Sequence, residues 1–173
     1  LVDAKVTCES MGAELFAGLD GGAVTSPVQM LQSLGKTSVT YRTMSTNSKS
    51  GEFFFFSGDR RFIVKTISPD EGKLLFGILP AYQGHIRKKA RSLIVRYAGL
   101  YCIDLIGIGK KYFTVMASVF DPAFPIHETY DVKGSTFKRK KKAGEKIGKD
   151  EDWVRAGARL NMLRETRCEL CAA

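Results

Sequence analysis

Apolar positions cluster into two short runs, separated by a polar turn, between residues 53 and 67. Phe53-Phe54-Phe55-Phe56 is followed by Ser57-Gly58-Asp59-Arg60 and then by Arg61-Phe62-Ile63-Val64-Lys65-Thr66-Ile67. The β-branched and aromatic content on both sides of that glycine-bearing turn predicts a hairpin. With a period of two, Phe62 and Val64 share one face, and Arg61, Ile63, Lys65 and Ile67 share the other. Lys65 is therefore flanked by two isoleucines on its own face, where an ammonium calls for an anion. A lysine in a strand also serves as an edge residue that lays its stem along apolar surface and keeps its head in water. Pattern alone leaves both readings open.

Ser68-Pro69-Asp70-Glu71 carries a helix start: Ser68 as N-cap, Pro69 at the first helical position, and Glu71 completing a capping box. The spacing predicts a helix with Leu74, Leu75, Ile78 and Leu79 on one face, which Pro80 kinks or divides on the way to Lys89. Leu93–Tyr97 and Gly99–Ile103 predict two strands, and the turn at Gly107-Ile108-Gly109-Lys110 joins them to a strand at Tyr112–Met116, a second hairpin. Residues 1 to 44 mix glycines with two weakly helical pieces, around Met11–Phe16 and Pro27–Leu34, and Ser45 to Gly51 is a polar loop. From Asp121 the composition shifts. Two prolines lead to Tyr130-Asp131-Val132-Lys133-Gly134-Ser135-Thr136 and then to a lysine-rich tract ending at Lys149, which predicts a mobile loop. A short packed element around Trp153 to Leu163 follows. The sum is α+β, an antiparallel β-sheet with packed helices.

Composition and charge narrow the partner. The 173 residues, 44% hydrophobic and 10% aromatic, suffice for one domain with a real core. Lys and Arg number 27 against 18 Asp and Glu, a net charge of +9. That surplus points to nucleic acid, acidic lipid or nucleotide. No run of 18 apolar residues exists, so no membrane-spanning segment is expected. The chain opens at Leu1 with no charged start and apolar core, and reads as an excised piece rather than a precursor. Cys8, Cys102, Cys168 and Cys171 are too few and scattered for a disulfide scaffold, which predicts a reducing compartment. Cys168-Glu-Leu-Cys171 has half a zinc spacing, but no second pair follows and the two histidines are isolated, so no metal site is expected.

A strand lysine after a tight hairpin, with a Gly- and Ser-bearing loop before it and a helix after it, is how a kinase small lobe is wired. Ser48-Lys49-Ser50-Gly51 offers backbone N–H groups and hydroxyls to phosphate oxygens, and Gly51 permits close approach. Lys133-Gly134-Ser135-Thr136 sets small residues beside a cation, which suits a phosphate but equally suits a turn with a solvated lysine.

Four blocks, "STNSKSGEFFFFSGDRRFIVKTIS", "LLFGILPAYQGHI", "SLIVRYAGLY" and "HETYDVKGST", stand in the order and near the spacing seen in the phosphatidylinositol-phosphate kinases, of the phosphatidylinositol-4-phosphate 5-kinase type. The chain resembles the amino-terminal part of that catalytic domain, strongly from Ser45 to Thr136. The resemblance implies that Lys65 binds ATP phosphates and that Lys133 approaches the transferred phosphate, with Asp131 in the same catalytic motif. Ser48, Lys49, Ser50 and Gly51 would cover the phosphates. Met116 to Phe120, which includes Val119, would be the hinge that meets adenine. Glu71 is a candidate for the helix carboxylate that orients Lys65. Each lysine–phosphate contact has a raw Coulomb energy of about 4 kcal/mol at ~4 Å and an effective dielectric of about 20, before desolvation. Val132 stands where the family usually has leucine, and Ser118 where asparagine is common.

The resemblance further implies an amino-terminal helical or irregular segment over residues 1–44 and an ATP-binding amino-terminal lobe over 45–173. It also implies that the carboxy-terminal lobe, with its magnesium-holding carboxylates and lipid-selecting loop, would lie outside these residues. The expected function is transfer of the γ-phosphate of ATP to the inositol ring of a phosphatidylinositol phosphate, with negligible activity in these residues alone. Lys138 to Lys142, Arg87 to Arg91 and Lys110-Lys111 suit a cytoplasmic enzyme resting on the cytosolic face of an anionic membrane. At about 1 kcal/mol per basic residue the five-residue run supplies up to ~5 kcal/mol. Nucleic acid is not expected under this reading, and a homodimer is left open. The competing reading is a non-catalytic basic module for anionic membrane or nucleic acid.

Overall fold

The computed structural model describes residues 7–17, 19, 27–35, 42–45, 53–89, 91–105, 107, 109–120, 123–160 and 163–171. They fall into two compact units, residues 1–124 and 125–173. The first holds β1 (Thr7–Ser10), α1 (Ala13–Phe16), α2 (Pro27–Leu34), β2 (Arg42–Ser45), β3 (Phe53–Phe56), β4 (Phe62–Ile67), α3 (Pro69–Lys88), β5 (Tyr97–Leu105) and β6 (Gly109–Ala117). The second holds α4 (Asp150–Arg155) and α5 (Arg164–Cys171). The expected α+β class is observed. The boundary expected at residue 44 falls inside β2, because the early residues supply both edges of the sheet rather than a separate helical segment.

Among the described residues the sheet has six strands, all antiparallel, in the order β1-β5-β6-β4-β3-β2. Register sets which residues share a face. Phe54 pairs with Lys65, Lys65 with Thr114, and Thr114 with Leu100, so these four form one row across the sheet. Leu100 is fully buried in a core with Phe16, Leu19, Leu75, Leu79, Tyr82 and Ile86, against which Ile67 and Tyr97 also pack. The face that carries Lys65 is thus the face that α3 and α1 cover.

The capping box of α3 is formed as expected: Glu71 N–H donates to Ser68 Oγ (3.2 Å) and Ser68 N–H donates to Glu71 Oε2 (2.8 Å). The helix continues through Pro80 to Lys88, so no second segment begins there. Pro80 is on the solvent side, where water can satisfy the carbonyl that its missing N–H leaves. The buried stripe is Gly72, Leu75, Leu79, Tyr82 and Ile86, whereas Leu74 and Ile78 are exposed. The predicted apolar face was about 50° off at roughly 100° per residue, since small Gly72 and amphipathic Tyr82 count as core. Leu79→Ala is accordingly expected to lower unfolding free energy by about 3 kcal/mol. Leu74→Ala should stay within about 0.5 kcal/mol of the parent in the same denaturant titration.

Leu93–Tyr97 does not form the separate strand expected. A single β5 begins at Tyr97, with a register shift between Tyr97 and Gly99. The segment before it is held by a side chain: Tyr82 Oη donates to the Val95 carbonyl (2.8 Å) and accepts the Tyr97 N–H (3.0 Å). The predicted hairpins β3–β4 and β5–β6 both form.

The β3–β4 turn is fixed from within. Ser57 Oγ accepts the Phe62 N–H (3.0 Å) and donates to Asp59 Oδ1 (2.6 Å). Asp59 also accepts from Ser33 on α2 and from the Arg61 N–H (3.1 Å). Partial burial pushes the Asp59 carboxyl upward, but these hydrogen bonds outweigh it and hold the group below its ordinary range. On the sheet face opposite α3, Tyr101 Oη lies 3.7 Å from Met30 Sδ of α2.

No helix among the described residues is long and apolar enough to cross a membrane. The lysine-rich tract is not merely a solvated, mobile loop, because backbone and side-chain hydrogen bonds tie it to α4 at several points, described below.

Candidate functional site

In the first unit the site is built around Lys65. The side chain is about one-quarter exposed, and its Nζ lies 3.7 Å from Glu71 Oε1 and 5.8 Å from the Phe54 ring centroid. The strand alternation places the lysine on the helix side. The capping box brings Glu71 there, because the first turn of α3 starts one residue after β4 ends. Glu71 divides its carboxylate, with Oε2 closing the cap and Oε1 facing the ammonium. The Ser68 N–H, chiefly, and then Lys65 keep this carboxyl below its ordinary range. The orienting role expected for Glu71 and its structural task are thus compatible.

Val119 lies just past the end of β6, the strand paired with that of Lys65, and its side chain is exposed. Ser118 shapes this bend: its N–H donates to the Arg61 carbonyl (2.8 Å) and its Oγ accepts the Phe120 N–H (3.2 Å). Ser48, Lys49, Ser50 and Gly51 lie outside the described residues.

In the second unit the site is the turn around Lys133. Gly134 has φ +71°, which permits successive amides to converge. They converge on a carboxylate of the chain itself. Asp150 Oδ1 accepts the N–H groups of Lys133 (2.9 Å), Gly134 (2.8 Å) and Ser135 (3.3 Å). Its Oδ2 accepts from Arg139 Nε (2.7 Å). The Arg139 hydrogen bond and those amides hold Asp150 far below the usual carboxylate range. Arg139 turns inward from the basic run, bonding the Asp131 carbonyl and pairing with Asp131 Oδ2 at 3.1 Å. Lys133 Nζ is 3.7 Å from the same oxygen and remains mostly exposed. Lys133 and Asp131 are therefore paired within the turn.

The amides of the Lys-Gly-Ser turn, expected to suit a phosphate, are already taken by Asp150. What the turn offers outward is the Lys133 ammonium. Sequence reasoning missed Asp150 and Arg139, whose only local signal was the acidic run Asp150-Glu151-Asp152 following the basic tract. The rest of that tract is anchored by Asp152 Oδ2, which accepts the N–H groups of Lys141 (2.8 Å) and Lys149 (3.0 Å), and by a Lys149–Glu145 pair at 2.7 Å. With Arg139 consumed, Lys138, Lys140, Lys141 and Lys142 are the exposed members of the run. Cys8 and Cys168 are exposed free thiols and Cys102 is a buried one; no group of three potential metal ligands occurs among the described residues.

The family profile described as Phosphatidylinositol-4-phosphate 5-Kinase matches residues 36–173. The chain belongs to that family. Among curated relatives, a "Probable phosphatidylinositol phosphate kinase" of Dictyostelium discoideum is 44% identical over 105 residues, which is 61% of this chain and 15% of that protein. Phosphatidylinositol 4-phosphate 5-kinase 5 of Arabidopsis thaliana is 38% identical over 100 residues, 57% of this chain and 13% of the relative. Phosphatidylinositol 4-phosphate 5-kinase its3 of Schizosaccharomyces pombe is 37% identical over 123 residues, 68% and 17%. The chain thus matches less than a fifth of each relative's length. The two candidate lysines, Lys65 and Lys133, each stand beside a carboxylate.

Proposed function

We propose that this chain is the ATP-binding portion of a kinase that phosphorylates the inositol ring of a phosphatidylinositol phosphate. Lys65 carries the reading, because it is a strand ammonium on the helix-covered face of an antiparallel sheet, held 3.7 Å from a helix carboxylate. In this reading Lys65 neutralises ATP phosphates, residues 48–51 cover them, and the bend at Val119 meets adenine. Lys133 approaches the transferred phosphate, with Asp131 and Arg139 fixing its position. Magnesium, when bound, neutralises the developing charge on the phosphates, and its carboxylate ligands are not assigned to any residue of this chain.

The exposed lysines 138, 140, 141 and 142 support a peripheral position on the anionic, cytosolic face of a membrane. At about 1 kcal/mol each they contribute up to ~4 kcal/mol, one residue less than the sequence run suggested. Raised salt screens that attraction.

Amine acylation of the 173-residue chain tests the nucleotide reading. ATP should slow modification of Lys65 several-fold and leave Lys73, which is exposed on α3, unchanged when both are quantified by peptide mass spectrometry. Equal labelling of Lys65 with and without ATP would refute it. The same preparation is expected to transfer negligible phosphate to lipid by itself, as a radiolabel assay would register.

A further inference from the structure

α2 turns polar residues inward. Its apolar Val28 and Leu31 are exposed, whereas Gln29 and Ser33, four residues apart and so on one helix face, meet the β3–β4 turn. Ser33 is 3% exposed, and Ser57 in the turn 2%. Hydroxyls buried this fully need partners, and both donate to the same one, the carboxylate of Asp59. Two residues on, Arg61 Nη2 donates to Gln29 Oε1 (2.9 Å). Two bonds that span 26 and 32 residues thus fasten the helix on either side of Arg60. Arg60 itself has φ +60°, a left-handed conformation that residues with a Cβ rarely adopt.

The hairpin does not need α2 for closure, because Ser57 Oγ and the Arg61 N–H bond to Asp59 already close it. What α2 adds is a hold on Arg61. The N–H of that residue is fixed by Asp59 (3.1 Å), its guanidinium by Gln29, and its carbonyl accepts the N–H of Ser118 (2.8 Å). Ser118 in turn shapes the bend after β6, where its Oγ accepts the Phe120 N–H and donates to the Phe120 carbonyl, both at 3.2 Å. A contiguous path of hydrogen bonds therefore runs from α2 through Asp59 and Arg61 to the residues that flank Val119. Lys65 and Glu71 meet elsewhere, on the face that α3 covers.

We propose, on the reading that the bend at Val119 meets adenine, that Asp59 and Arg61, latched to α2, are positioning residues that set the protein's grip on the base of the nucleotide and not on its phosphates. Backbone groups at the bend meet the base through hydrogen bonds, which weaken steeply with misalignment. Lys65 holds phosphate by charge, and Coulomb attraction falls slowly with distance, so a small shift at the bend leaves it nearly unchanged.

Calorimetric titration of the 173-residue chain with ATP and with inorganic tripolyphosphate is the test, with circular dichroism melting to confirm the fold of each variant. Joint Gln29→Ala and Ser33→Ala substitution leaves Ser57 and Asp59 in the turn and removes only the latch. It should weaken ATP about fivefold and tripolyphosphate less than about twofold, and the Ser118 and Phe120 amides should exchange faster. Gln29→Ala alone, the milder variant, should move the ratio of the two affinities the same way by about twofold. Gln29→Glu, which keeps an acceptor for Arg61, should retain the parent ratio. Cys102→Ala, buried on β5, should lower the melting temperature and leave the ratio unchanged. A ratio unmoved by the double variant, or moved equally by Cys102→Ala, overturns the proposal, as does unchanged exchange at Ser118. If the parent holds ATP no differently from tripolyphosphate, the adenine reading fails and the latch's role fails with it; if the parent discriminates and the double variant discriminates equally, the latch's role alone fails.

Discussion

Lys65→Met in the 173-residue chain is expected to weaken ATP binding by at least about tenfold while leaving the melting transition nearly unchanged. Methionine keeps the apolar stem that lies along the sheet row Phe54-Lys65-Thr114-Leu100 and removes only the ammonium. The raw attraction to a phosphate at ~4 Å is about 4 kcal/mol at an effective dielectric near 20. After desolvation, bonds to charged groups retain about 1.5–3 kcal/mol, which sets the tenfold floor. Folding loses little, because the Lys65–Glu71 pair is long and part-exposed, and such pairs contribute about 0–1 kcal/mol. Fluorescence or calorimetric titration with ATP reads the first quantity and thermal melting the second. Unaltered ATP affinity would remove Lys65 from the nucleotide site.

Asp150→Ala is expected to release the Lys133 turn. Three amides and one guanidinium lose their acceptor together, and Arg139 is left inward-facing with Asp131 as its one remaining carboxylate partner among the described residues. Hydrogen exchange of the Lys133, Gly134 and Ser135 amides should accelerate by more than about tenfold, while the β4–β6 ladder stays protected. Asp150→Asn should fall between, since a neutral amide oxygen still accepts but lacks the charge. Exchange at 133–135 unchanged by the alanine variant would show that the turn does not depend on this carboxylate. The pH dependence has a definite sign. Asp150 is held below the ordinary aspartate value of 3.8, so its stabilisation is complete above that pH and is lost only as the pH falls from there towards the lowered value. Amide protection at 133–135 should therefore persist down to about pH 4.

How far the sequence speaks depends on how local the determining contact is. The β3–β4 hairpin and the capping box of α3 each rest on residues within a few positions of one another, and both were legible. The pairing of Lys65 with Glu71 was legible for the same reason, because one short connection carries strand into helix. The apolar face of α3 was misjudged because periodicity ranks Leu74 and Ile78 above Gly72 and Tyr82, and only the sheet it meets decides between adjacent stripes. The edge strands β1 and β2 carry little β-signal of their own. They exist because β5 and β3 offer unpaired edges, and for β1 the partner strand lies more than ninety residues on, Ser10 pairing with Tyr101 and Thr7 with Asp104. Asp150 was invisible for a related reason: its partners lie 15 to 17 residues earlier at the amides and 11 earlier at Arg139. A basic tract reads as solvated until an inward arginine is seen.

The phenol of Tyr82 gears α3 to the start of β5. One oxygen serves a carbonyl and an amide on the same segment, so the helix cannot slide along its own axis without opening the entrance to that strand. Because the first turn of the same helix carries Glu71, any shift of that carboxylate relative to Lys65 must be matched some 16 Å away along the rod, at about 1.5 Å per residue. Helix and sheet move as one lever, with the phenol as its pin.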